Sequence, residues 1–170
     1  MEHPKVVDPE RFVTELVRAG VEFIVVGGAA GLLHGAPITT QDLDVVHRRT
    51  PDNIARLLDL LLKLDATMRY DFANRRLRPT AAMLAGNGHI NLSTLLGPFD
   101  PLCELEVGQG YDELLPHSEV LSDGDTSFRV LDLPTLIDVK LKTGRAKDRA
   151  VVPILMATLK ARENQGTPHE

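Results

Sequence analysis

Asp42 and Asp44 stand one residue apart at the end of the run GGAAGLLHGAPITTQDLD, residues 27–44. In an extended strand alternate side chains share a face, so these carboxylates project the same way, about 6–7 Å apart along the chain. Two carboxylates that close repel unless something positive lies between them. A hard divalent cation is the natural occupant, and Mg²⁺ takes one or two protein carboxylates together with substrate phosphates. At the other end of the run, Gly27 and Gly28 follow the apolar stretch VEFIVV. A corner without side chains lets the backbone approach a ligand, and the amides of a following helix can face a phosphate. Together the two features suit a metal-bound nucleoside triphosphate. Taken singly, they also suit two acids pointing into water and a tight strand–helix turn. No Gly-x-Gly-x-x-Gly and no Walker lysine are present, so the dinucleotide and P-loop patterns do not apply.

A second concentration of chemistry lies in LIDVKLKTGRAKDRAVV, where Lys140, Lys142, Arg145, Lys147 and Arg149 crowd into a chain that is acidic as a whole. At helical spacing Lys142, Arg145 and Arg149 share one face and Lys140 and Lys147 another. A lysine is a good point-charge partner for phosphate oxygens, and a solvated helix face is the alternative. Arg75, Arg76 and Arg78 form a third basic group. That group suits either a nucleic-acid strand held through its phosphates or a solvated loop.

These residues need elements to hold them. PERFVTELVRAG (9–20) carries Phe12, Leu16 and Val17 at helical spacing before Gly20, which predicts a helix. The β-branched run 21–28 predicts a buried strand, residues 29–35 a short helix, and DLDVV (42–46) a second strand. TPDNIARLLDLLLKL (50–64) has a Thr cap, a Pro in the first turn and a strong apolar stripe, a helix by every signal. Residues 68–80 read as a loop or short strand. Residues 89–105 read as two strands broken at Gly97-Pro98, and 111–124 as a short helix or turn followed by a strand. Residues 127–133 read as a strand, and 133–164 as two helices split near 144–149. The order predicts an α+β fold, a small mixed sheet with helices packed on it and a C-terminal helical segment. One domain is expected over residues 1–165, with core 9–132, helices 133–164 and a frayed tail at 166–170.

The 170 residues are 43% hydrophobic and 25% charged, with a formal net charge of -5. That is ordinary globular composition, and its sign argues against coating nucleic acid through bulk charge. The single cysteine, Cys103, makes no internal disulfide. No apolar run approaches the ~20 residues of a membrane span. The start MEHPKVVDPE lacks a basic-then-apolar leader, so a cytoplasmic protein without membrane association is expected.

The strand, Gly-Gly, short helix and Asp-x-Asp of VVGGAAGLLHGAPITTQDLDVV resemble the DNA polymerase β-like nucleotidyltransferase superfamily. With LSTLLGPFDPLCEL, YDELLPHS and VLDLPTLIDVKLKTGRAKDRAVVPIL, the likeness extends over most of residues 21–160. It is nearest to small bacterial nucleotidyltransferases grouped with the AbiEii-type toxins. The resemblance implies the nucleotidyltransferase fold and a third carboxylate on a neighbouring strand. Asp100 in GPFDPL fits that position better than Asn91 in HINL, because LSTLLGPFD has the Thr-x-x-Gly-x-x-Asp form. It further implies that Asp42, Asp44 and Asp100 are catalytic and hold two Mg²⁺ ions. Gly27, Gly28, Thr40, Lys140, Arg145 and Asp148 are implied to bind the nucleotide, Asp148 by steadying Lys140 or its helix. The activity implied is transfer of an NMP from an NTP to a hydroxyl of RNA, such as a tRNA 3′ end, or of a protein. A cognate toxin or antitoxin is an implied partner. Two departures stand out. Pro101 follows Asp100, where a proline fits only an edge or bulge, and Ile38 stands where many relatives carry an arginine. A catalytically degenerate binding module on the same fold is therefore the alternative, with a plain sugar- or nucleotide-binding α/β domain behind it.

Overall fold

The computed structural model describes residues 2–166; of the tail expected at 166–170, residues 167–170 lie outside them. The described residues form seven α-helices and one mixed seven-stranded sheet of order β3-β4-β5-β2-β1-β7-β6. This is the α+β architecture expected from the order of elements.

The centre of the sheet is built from the most apolar segments. β1 (Phe23–Val26) is buried along its whole length, as its β-branched run predicts. β2 (Leu43–His47) runs antiparallel to it, with Val26 opposite Asp44. β5 (Phe99–Leu102) lies parallel to β2 on the far side, and β7 (Thr126–Leu131) parallel to β1. Antiparallel partners complete the sheet: β6 (Ser118–Asp123) on β7, β4 (Leu92–Ser93) on β5 and β3 (Thr67–Met68) on β4. Two of the expected boundaries that move lie beside the carboxylates and glycines. The first strand ends at Val26, because Gly27 and Gly28 already belong to α2 (Gly27–Leu33). Asp42 sits just ahead of β2 rather than inside it.

Pro101 occupies no outer strand, since β5 lies between β4 and β2. Its tolerance has a local reason. The Pro98 carbonyl accepts from Leu43 N, so residues 98 and 100 turn their backbone groups to β2 and residues 99 and 101 turn theirs the other way. On that other side β4 pairs only with Phe99. The missing N–H of Pro101 therefore faces a stretch with no ladder to complete.

α1 (Pro9–Arg18) opens on Asp8, whose carboxylate accepts from Arg11 N, and it buries Phe12, Val13 and Leu16. Phe12 stacks on Phe99 with centroids 4.5 Å apart. Because neighbouring strand residues point to opposite faces, Asp100 lies on the face away from α1. α3 (Pro51–Lys63) packs against α1. Thr50 stands at its N-cap but makes no side-chain cap bond. Asn53, fully buried, ties the helix start to the sheet instead: its amide oxygen accepts from Glu22 N at 2.7 Å, and its amide nitrogen donates to the Glu22 and Arg48 carbonyls. A short helix α4 (Ala81–Ala85), capped by Thr80, was not expected from the sequence. α5 (Tyr111–Leu114) and a 3₁₀ turn lead into β6. No described helix is long and apolar enough to cross a membrane.

The C-terminal segment is split as predicted, into α6 (Leu133–Thr143) and α7 (Ala146–Gln165), which pack on each other, with α6 also against α2. Asp132 caps α6 by accepting from Thr135 N at 2.8 Å. Asp132→Ala removes that acceptor and should cost about 1 kcal/mol. For a chain of this size that is a drop of about 2–4 °C in Tm, readable by calorimetry.

Candidate metal and phosphate site

The parallel register of β2 and β5 sets Asp44 directly opposite Asp100, and Asp42 reaches the same face from the turn before β2. One oxygen from each of the three carboxylates lies within 4.8 Å of the others. Asp100 is buried, and Asp42 and Asp44 are half-buried. Burial pushes the Asp44 carboxyl up to about 8, helped by the negative charges of Asp42 and Asp100. Asp100 is also raised, first by burial, although the Arg69 guanidinium pulls the other way. Three convergent carboxylates with no nitrogen or sulfur donor form the all-oxygen set that suits Mg²⁺ or Mn²⁺. The raised carboxyls register burial first and a crowding of negative charge second, and a cation would relieve both. These residues therefore fit a hard divalent ion.

The carboxylates form one wall of a cleft of about 470 Å³. Gly27 and Gly28 line it as well. Gly27 has φ +66°, and a Cβ there would lie 2.6 Å from Asp44 Oδ2. The Thr40 hydroxyl donates to the Asp42 carbonyl at 2.8 Å, which fixes the turn that presents Asp42. α6, α7 and the turn between them contribute Lys140, Arg145, Lys147 and Asp148 to its lining. Asp148 is buried and gathers its neighbours. It accepts from Thr143 Oγ1 at 2.6 Å, Arg145 Nε at 3.2 Å and Lys140 Nζ at 3.3 Å. The Thr143 hydrogen bond, with those from Lys140 and Arg145, holds its carboxyl below the usual range despite burial. Ile38, Leu136, Val139 and Val151 supply apolar surface to the cleft.

All nine residues that the resemblance implies to be catalytic or nucleotide-binding line this one cleft, and Asn91 lines it too. The helical-face grouping of the basic stretch is corrected. That grouping supposes one continuous helix, whereas α6 ends at Gly144 in a left-handed conformation. The chain re-aims there, so Lys140, Arg145 and Lys147 converge on the cleft. Lys142 pairs with Asp138 at 3.1 Å and faces Glu106. The other basic group is occupied locally: Arg75 pairs with Asp71, and Arg76 and Arg78 both pair with Asp65.

Sequence reasoning missed Arg69. It follows β3, and its Nη2 donates to Asp100 Oδ1 at 2.6 Å and to the Leu92 carbonyl at 2.9 Å. Its Nη1 lies 3.9 Å from Asp42 Oδ2. Nothing in the spacing of MRYDFANRRLRPT marks Arg69 off from its neighbours; only the pairing of β3 with β4 brings it to the carboxylates. No family model matches this chain, and no curated protein matches it.

Proposed function

We propose that the protein is a Mg²⁺-dependent nucleotidyltransferase that moves an NMP from an NTP to a hydroxyl of RNA or protein. The observation that carries this reading is the three-carboxylate cluster lining one cleft together with Lys140, Arg145 and a glycine pair. Asp42 and Asp44 would hold the metal, with Asp100 beside them. Bound there, Mg²⁺ supplies charge neutralisation and alignment for an in-line displacement at phosphorus. Gly27 and Gly28 leave room for the triphosphate, Lys140 neutralises its charge, and Asp148 keeps Lys140 and Arg145 aimed at it. An acceptor hydroxyl gives its proton to Asp100. The freed oxygen forms a bond to the α-phosphorus, the bridging α–β P–O bond breaks, and pyrophosphate leaves with that electron pair. A toxin–antitoxin role, with a cognate partner, is compatible with this chemistry.

A second reading draws on the Arg69–Asp100 pair. A guanidinium seated on a carboxylate can stand in for a cation altogether, which would make the protein a binding module on the same scaffold. One experiment separates the two. The protein is incubated with each α-³²P-labelled NTP, Mg²⁺ and either total tRNA or cell lysate, beside the Asp42→Ala/Asp44→Ala variant. Label on RNA or protein with the wild type alone supports transfer and identifies base and acceptor class together. No label with any nucleotide, and no Mg²⁺-dependent NTP binding by calorimetry, overturns it in favour of the binding module. Lys140→Gln should weaken Mg²⁺–NTP binding about ten- to a hundredfold, the worth of a hydrogen bond to a charged group. Titration calorimetry reads that loss directly.

A further inference from the structure

We propose that Arg69 takes the place of one of the two metal ions such a site would otherwise hold, so that the protein loads a single divalent ion, on Asp42 and Asp44. The inference rests on the nucleotidyltransferase reading and specifies its metal content. Two-metal phosphoryl-transfer sites hold their ions about 3.5–4 Å apart, bridged by shared carboxylates. Here one oxygen of Asp100 is already paired. The Arg69 guanidinium is 2.6 Å from Asp100 Oδ1 and 3.9 Å from Asp42 Oδ2, so it faces two of the three carboxylates a second ion would need.

Arg69 is also built in. Its backbone N donates to the Asn91 carbonyl at 2.8 Å, and its Nη2 donates to the Leu92 carbonyl. Its Nε is buried without a partner, a cost a side chain free to swing out would shed. Met68, just before it, is paired with Leu92 across β3 and β4. A guanidinium carries a permanent charge and a planar array of donors. It can neutralise Asp100, but it cannot be titrated away to admit a cation. Asp100 keeps its second oxygen for the acceptor proton. Asp42 and Asp44 then remain for the one ion that accompanies the triphosphate, which matches the one or two protein carboxylates Mg²⁺ usually takes.

The test counts ions. Crystals of the wild type and of Arg69→Met are grown with Mn²⁺ and inorganic triphosphate, and the manganese is located by its anomalous scattering. The wild type should show one peak, between Asp42 and Asp44, with Arg69 still on Asp100. Arg69→Met should show two, and in solution its Mn²⁺ electron paramagnetic resonance spectrum should change from that of an isolated ion to that of a spin-coupled pair. Two peaks in the wild type, with Arg69 displaced, overturn the inference and leave the transferase reading intact. No peak in the wild type overturns both. The wild-type count decides the matter even where Arg69→Met does not fold, and Arg69→Lys, which keeps a positive charge, should retain one ion.

Discussion

Asp44→Asn is expected to cut the proposed nucleotidyl transfer sharply while making the metal-free protein more stable at pH 8. The two effects have one cause. Asp44 lies opposite Asp100 and near Asp42, part-buried among like charges. Its carboxyl is pushed up to about 8 by burial and by those neighbours. A raised carboxyl binds its proton more tightly in the folded state than in the unfolded one, so folding loses stability as pH rises from the ordinary value of 3.8 towards about 8. Above that the loss is complete. The neutral amide of Asn removes the penalty. The Tm difference between Asp44→Asn and wild type should therefore grow from pH 5 to pH 8, at about 2–4 °C per kcal/mol relieved. Saturating Mg²⁺ should raise the wild-type Tm at pH 8, and less at pH 5, where a proton competes for the same oxygen. In activity the sign reverses. A lost metal ligand forfeits several kcal/mol of transition-state stabilisation, so kcat/KM should fall on the order of 10³-fold. A Tm difference that is flat with pH would sink the electrostatic account of this site.

Gly27→Ala should damage both stability and turnover through the backbone rather than through charge. Gly27 has φ +66°, in the left-handed region, where an L-residue with a Cβ costs roughly 1–2 kcal/mol. The added methyl would also lie 2.6 Å from Asp44 Oδ2, so either the strand–helix corner or the carboxylate must shift. A displacement of about 1 Å at a catalytic group can cost about 10²-fold in rate. Denaturant titration should show the stability loss, and NTP turnover the larger kinetic one. Gly28→Ala is the comparison. Its φ is not in that region, and its Cβ would meet only the Thr40 side chain, Oγ1 at 3.2 Å and Cβ at 3.5 Å. It should therefore lose much less than Gly27→Ala in both measurements.

Much of this arrangement was legible in the amino-acid sequence, because its signals are local. The apolar stripe of 50–64, the glycine that ends α6, the β-branched run of β1 and the Gly97-Pro98 break each act within a few residues, and each element formed where expected. The Asp-x-Asp spacing pointed to two carboxylates on one face, although Asp42 reaches that face from the turn ahead of β2 and not from within the strand. α4 was missed because its five residues lack room for a helical period.

What the tertiary structure decided was everything that depends on which strands become neighbours. The register of β2 against β5 puts Asp100 opposite Asp44, and no periodicity in either segment encodes that partner. Pro101 is accommodated only because β4 stops short of it. The break at Gly144 turns Lys140, Arg145 and Lys147 to a common cleft, where a continuous helix would have spread them around its axis. Arg69 reaches Asp100 from 31 residues away in sequence, through pairings of β3, β4 and β5 that are set by burial of the whole sheet. The chain thus carries its chemistry-bearing residue types in short, readable patterns. The electrostatics that tune them, including the raised carboxyls and the guanidinium set among them, arise from long-range packing that brings like and unlike charges together out of water.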